Sequence, residues 1–236
     1  MVIWILSAVV FLCTSGASAQ DTTIDKRTFE ALMSSSRRPP SEWQGKARRI
    51  TSRTESGIST ADQIAEYDAS GSVRVVNRSI QGGQPVNSER ITIGDTSFVR
   101  RNDGPWERKP RTPNRNVDPP VAPFESLENS YRFTLPNQPG VASEFALSSG
   151  TYNGRDMTVV LRVERSKRVD SAGGREVSVE IRIKYWLDNS KRLVRSEQWD
   201  IQIVDGKKHK SYVSLEWEAD PSITIKEPAG ASSKPR

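Results

Sequence analysis

The 236 residues carry a formal net charge of +6, one cysteine, one histidine and only 34% apolar side chains. So few Cys and His residues exclude a disulfide framework, a Cys-His or Ser-His catalytic arrangement beyond a lone His209, and a zinc ligand set. The positive charge is shared evenly between the two halves without interleaved aromatics, which is the pattern of a mixed, solvated surface and not of a nucleic-acid interface.

Val2 to Cys13 is apolar apart from Ser7, and Ala17-Ser18-Ala19 is a small-x-small cleavage pattern. This predicts a secretory signal over 1–19, cut before Gln20, that delivers the protein to the periplasm, with secretion as the alternative. The run is too short to span a bilayer. Lipidation at Cys13 is disfavoured, because Leu12 is bulky where such sites take a small residue. Cys13 then leaves with the signal.

Thr23 to Ser36 reads as a helix, with Phe29, Leu32 and Met33 on one face and Thr23 as its N-cap. Arg37-Arg38-Pro39-Pro40 ends it. Strand and turn follow: Trp43–Glu55, Gln63–Tyr67, Ser72–Ile80, Val86–Ile93, Ser97–Arg101 and Trp106–Arg108, punctuated by Gly71, Gly82-Gly83 and Gly94-Asp95. Asn77-Arg78-Ser79 matches a glycosylation acceptor, a match that is common by chance. Pro110 to Pro123 holds five prolines and cannot be a central strand; it reads as a linker or surface loop. A short helical stretch from Pro123 to Tyr131 comes next, carrying Phe124, Leu127 and Tyr131.

The second half is a run of hairpins. Asn153-Gly154 joins Phe145–Tyr152 to Met157–Arg165. Val177 to Leu187 alternates almost perfectly, with Val177, Val179, Ile181, Ile183, Tyr185 and Leu187 apolar and Trp186 the one aromatic among the even positions. It is a strand with one wet face, and Trp186 is expected to anchor a turn on that wet side. Leu193–Val204, Ser211–Glu218 and a short Ser222–Lys226 complete the reading. The whole is roughly ten antiparallel strands with two short helices, one domain over 20–228 with the Pro-rich loop at 110–123, and a disordered tail at 229–236.

Enzymatic signatures fail in turn. His209 lies in the basic run Lys207-Lys208-His209-Lys210 and reads as a solvated turn residue. Asp95, Asp156, Asp188 and Asp220 occupy turns or strand starts, where Asp bonds the backbone. The glycines are turn glycines, not phosphate loops. The expectation is a non-enzymatic protein without metal or cofactor. A carboxylate-based hydrolase is the least favoured reading.

The positive signal is coverage. Treating the odd positions as one face makes Met157, Val159, Leu161, Val177, Val179, Ile181, Ile183, Tyr185, Trp199, Ile201, Ile203, Val213, Leu215 and Trp217 a continuous apolar surface that two short helices cannot cover. A sheet that curls open around a bound apolar guest would resolve this, as would one that packs on itself.

Ile91-Thr92-Ile93-Gly94-Asp95-Thr96-Ser97-Phe98-Val99-Arg100 followed by Gly104-Pro105-Trp106, then Tyr185-Trp186-Leu187-Asp188 with Leu193-Val194-Arg195-Ser196-Glu197, then Asp220-Pro221-Ser222-Ile223-Thr224-Ile225, in that order, resemble the periplasmic outer-membrane lipoprotein carriers and related lipid-binding envelope proteins (LolA/LolB-like). The resemblance implies an incomplete antiparallel β-barrel, a half-barrel, with an N-terminal helix on its concave side and a helical lid between its halves. Phe124, Leu127 and Tyr131 would belong to that lid. It implies lipid or lipoprotein acyl chains as ligand, in a cavity lined by the fourteen residues above, and an envelope protein as a possible partner. An envelope scaffold without a lipid ligand is the alternative. Arg48, Arg49, Arg53, Arg74 and Arg78, crowding the first strands, depart from an apolar cavity.

Overall fold

The computed structural model describes residues 21–36, 42, 45–111, 141–169 and 176–231. Twelve strands and one helix follow in chain order: β1 Thr22–Ile24, α1 Lys26–Ser36, β2 Arg48–Ser56, β3 Ser59–Tyr67, β4 Val73–Gln81, β5 Gln84–Ile93, β6 Thr96–Arg101, β7 Glu107–Pro110, β8 Ala142–Tyr152, β9 Arg155–Val169, β10 Glu176–Leu187, β11 Leu193–Val204 and β12 Lys207–Ala219. They form one antiparallel sheet in the order β1-β8-β9-β10-β11-β12-β2-β3-β4-β5-β6-β7. β1 and β7 are its free edges, so the sheet is open and not closed into a barrel. The mainly β, incomplete-barrel expectation agrees with this architecture.

Tight turns set the connectivity. Gly57-Ile58, Gly82-Gly83, Gly94-Asp95, Asn153-Gly154 and Asp205-Gly206 each separate directly paired residues, such as Tyr152 opposite Arg155. Two-residue hairpins with a type I′ turn need positive φ at both central positions. Asn153 and Gly154, at 50° and 73°, and Asp205 and Gly206, at 51° and 73°, supply it.

Several boundaries differ from the sequence reading, each for a physical reason. The predicted helix start, Thr23 and Ile24, belongs instead to an edge strand, Thr22–Ile24, paired with Phe145–Leu147 of β8. The N-cap is Asp25, not Thr23: its Oδ1 accepts from the Thr28 backbone N–H at 2.7 Å. β2 begins at Arg48, five residues after the predicted start. His209 is a strand residue opposite Gln202, because the turn is only Asp205-Gly206. The predicted strand 222–226 does not form. Asp220 caps a turn there through the Ser222 N–H, and the Ile225 N–H donates to Asp68 Oδ2 at 3.2 Å. Asp188 behaves as predicted, accepting from the Ser190 and Arg192 amides. The signal, the Pro-rich loop beyond Arg111, and the lid with Phe124, Leu127 and Tyr131 lie outside the described residues.

Helix α1 defines the inner face of the sheet. Its buried Phe29 and Met33 pack in a cluster with Ile50, Ala65, Tyr67, Val73, Val75, Phe145, Val160, Leu187, Leu193, Leu215 and Trp217. These residues come from eight strands, so one short helix ties the centre of the sheet together.

Candidate functional site

The inner face beyond α1 is the candidate site. An 11-residue helix is about 16 Å long, whereas the 12 residues of β10 span roughly 40 Å. The helix covers one end of the strand, where Tyr185 lies 6.0 Å from the Phe29 ring. Towards the other end a second buried cluster forms from Val177, Val179, Ile181 and Ile183, with Tyr185 and Val204 against it and no α1 residue in it.

Register decides which residues share this face, because directly opposed residues in an antiparallel pair point the same way. Ile181 is opposite Glu164 on β9 and Asp200 on β11; Ile183 is opposite Arg162 and Gln198. The inner residues of β9 and β11 along this stretch are therefore even-numbered and polar. On β12 the inner residues are odd again: Val213 opposes Gln198 and Leu215 opposes Ser196.

The predicted odd-numbered lining is thus divided between two faces. Val177, Val179, Ile181, Ile183, Tyr185, Val213, Leu215 and Trp217 are on the inner face. Val159, Leu161, Trp199, Ile201 and Ile203 are on the outer one, opposite even-numbered residues of β10, and Met157, two residues before Val159 on β9 and opposite Gly150, shares it. The four-strand apolar surface is corrected to a stripe one strand wide. It runs along β10, flanked by Arg162, Glu164 and Ser166 on one side and by Gln198, Asp200 and Gln202 on the other.

The polar flanks are bonded at Arg162, Glu164, Gln198 and Asp200, whereas the buried Ser166 hydroxyl has no partner among the described residues. Arg162 forks onto Glu164, which is only 3% exposed. Gln198 Nε2 donates to Asp200 Oδ1 at 3.0 Å, and the Ser211 hydroxyl donates to Oδ2 at 3.4 Å. Burial nevertheless pushes the Asp200 carboxyl above its ordinary value, the two bonds only partly opposing it. Among the described residues no group of His, Cys, Asp and Glu is arranged to hold a metal. What this face offers is a slender apolar track between polar walls.

The outer face carries the charge. Arg49, Glu66, Arg74, Glu89 and Arg100 form a ladder across β2 to β6, with Arg74 and Arg100 both donating to Glu89. Four of the five arginines that crowd the first strands (Arg49, Arg53, Arg74 and Arg78) therefore leave the inner face clear. Arg48 alone is inward, buried with its guanidinium 4.1 Å from the Tyr67 ring. On the second half, Trp186 is on the outer face as expected, and its indole N–H donates to Glu197 Oε2 at 2.8 Å. Arg195 and Tyr212 also donate to Glu197, and Arg195 and Tyr152 donate to Glu216. Asn77 is on the inner face, bonded to Gln63 and Ser88, which leaves its amide engaged.

No family model matches the chain, and no curated protein matches it. Among solved structures, the LolA superfamily protein NE2245 from Nitrosomonas europaea aligns with 83% of this chain and 92% of its own, at 10% sequence identity and a TM-score of 0.24. Among the described residues no helix is long and apolar enough to cross a membrane.

Proposed function

We propose that this chain is a non-enzymatic, exported envelope protein that holds a lipid or lipoprotein acyl chain along the inner face of its sheet, as a carrier or sensor. The observation that carries this reading is the second inner cluster, Val177 to Ile183, which α1 does not reach. Seven residues of strand give a track of about 20 Å. A bilayer hydrocarbon core of about 30 Å holds two leaflets, so one acyl chain occupies about 15 Å. The track is long enough for one chain and too narrow for a broad ligand. Burial supplies the affinity, at about 0.8 kcal/mol per methylene, while the bonded polar flanks confine the chain laterally. The predicted signal over 1–19 supports a periplasmic location.

Thermal unfolding of delipidated protein with and without palmitate or a lipopeptide tests this reading. A ligand-dependent rise in Tm is the expected result. An unchanged Tm with both would overturn it. One observation favours a second reading, an envelope scaffold that binds protein partners: Val177, Val179, Ile181 and Ile183 are each below 10% exposed, as in a dry core. Under that reading neither ligand shifts Tm.

A further inference from the structure

Among the described residues, five large aliphatic side chains are exposed: Ile58, Ile80, Val86, Val169 and Ile203, by 80%, 43%, 41%, 67% and 43%. All five are at one end of the sheet. Ile58 is in the β2–β3 turn. Ile80 and Val86 flank the β4–β5 turn. Val169 ends β9, and Ile203 precedes the β11–β12 turn. The pairing of Val177 with Val204, Ser211 with Ser56, and Thr60 with Ile80 brings these tips into one row. The turns at the opposite end, Asp68–Ser72, Gly94-Asp95, Asn153-Gly154 and Asp188–Arg192, are polar throughout except for Ala69.

Positive charge is concentrated at the same tips. Lys207, Lys208, His209 and Lys210 follow the Asp205-Gly206 turn, and Lys207, Lys208 and Lys210 form no ion pair among the described residues. Beside them a cleft of about 690 Å³ joins Ile201 and Ile203 to Lys208 and to Arg165, Lys167 and Arg182, the last three ion-paired to Glu144, Glu176 and Glu180.

We infer that this end of the sheet docks on the surface of an anionic phospholipid bilayer. Isolated aliphatic chains on separate turns do not form the contiguous patch that a folded protein partner buries. A fluid interface has no such requirement, since each tip side chain enters it independently. The unpaired lysines complement anionic headgroups in the same plane. The placement leaves α1 and the polar turns facing away from the membrane. This surface requires no ligand on the inner face, so its failure would leave the acyl-chain reading standing, and the converse holds.

The test is co-sedimentation of the chain from Gln20 onward, which contains every element of the fold, with vesicles of phosphatidylcholine alone or mixed equally with phosphatidylglycerol. Binding is expected only to the anionic vesicles and is expected to fall with salt. Lys207→Glu with Lys208→Glu should weaken it by about tenfold or more, and Ile58→Ser with Ile203→Ser by a similar factor. Lys46→Glu, a charge reversal at the far end, should leave it unchanged, with circular dichroism confirming that all variants fold. Equal binding to both vesicle types, no binding to either, or tip variants that bind like the parent would overturn the inference. So would a dimer in solution that Ile58→Ser with Ile203→Ser dissolves, since the tips would then be covered by a second copy.

Discussion

Phe29 of α1 stacks on Phe145 of β8, ring centroids 4.6 Å apart and planes inclined by 29°. This contact seats the helix at one end of the inner face, and Met33 extends the seat towards the centre of the sheet. Phe29→Ala removes a buried aromatic that the sheet cannot replace by collapse. It should lower stability by about 3–5 kcal/mol, read as a lower midpoint in urea unfolding. A loss below about 1 kcal/mol would show that α1 is not needed to hold the inner face closed.

Gly150 tests the outer face. A Cβ there would lie 3.1 Å from both the Trp186 ring and Val159 Cγ2, and Trp186 is fixed by its bond to Glu197. Gly150→Ala should cost about 1–3 kcal/mol by overpacking. Adding Trp186→Phe, which removes the larger ring, should recover part of that loss. A double-mutant cycle with no coupling would contradict the packing described here.

Asp200 and Glu197 are predicted to act oppositely with pH. Burial holds the folded-state pKa of Asp200 above its ordinary value of 3.8. A carboxyl raised on folding favours the native state at low pH, and that contribution is lost as the pH rises from the unfolded value through the folded one. Asp200→Asn should therefore raise Tm at neutral pH and have little effect below pH 3.8.

Burial also pushes Glu197 up, but bonds from Trp186, Arg195 and Tyr212 together with the Arg195 charge outweigh it, leaving the carboxyl below its ordinary value of 4.5. Its stabilisation is present above that value and is lost as pH falls through the lower folded-state pKa. Glu197→Gln should cost about 1–3 kcal/mol at neutral pH, by weakening three bonds, and should flatten the acid limb of a stability profile. Acid limbs that coincide for the variant and the parent would refute this assignment.

The sheet was legible in the sequence because alternation and turn chemistry agree in nearly every hairpin. Val177 to Leu187 and the Asn153-Gly154 and Asp205-Gly206 turns are the clearest cases. The division of the site between two faces was also written there, but in the turns. Residues flanking a two-residue turn, such as Val204 and Lys207, differ in parity. An odd-numbered inner set on β12 therefore requires an even-numbered one on β11, which excludes Trp199, Ile201 and Ile203 from the inner face. The pairing of β12 with β2 was not legible, since it joins strands about 160 residues apart through no turn. The same applies to Thr22–Ile24, whose β state comes from the edge of β8 and not from its own pattern.

The most direct test of the acyl-chain account compares the two faces at one height of the sheet. Val179→Trp fills the inner track, whereas Ile201→Trp adds the same bulk on the outer face of the neighbouring strand. Calorimetric titration of palmitate into each folded variant is the measurement. The account predicts that Val179→Trp abolishes or sharply weakens binding and that Ile201→Trp binds like the parent. Equal affinity in both variants, or a parent that takes up no palmitate, would contradict it.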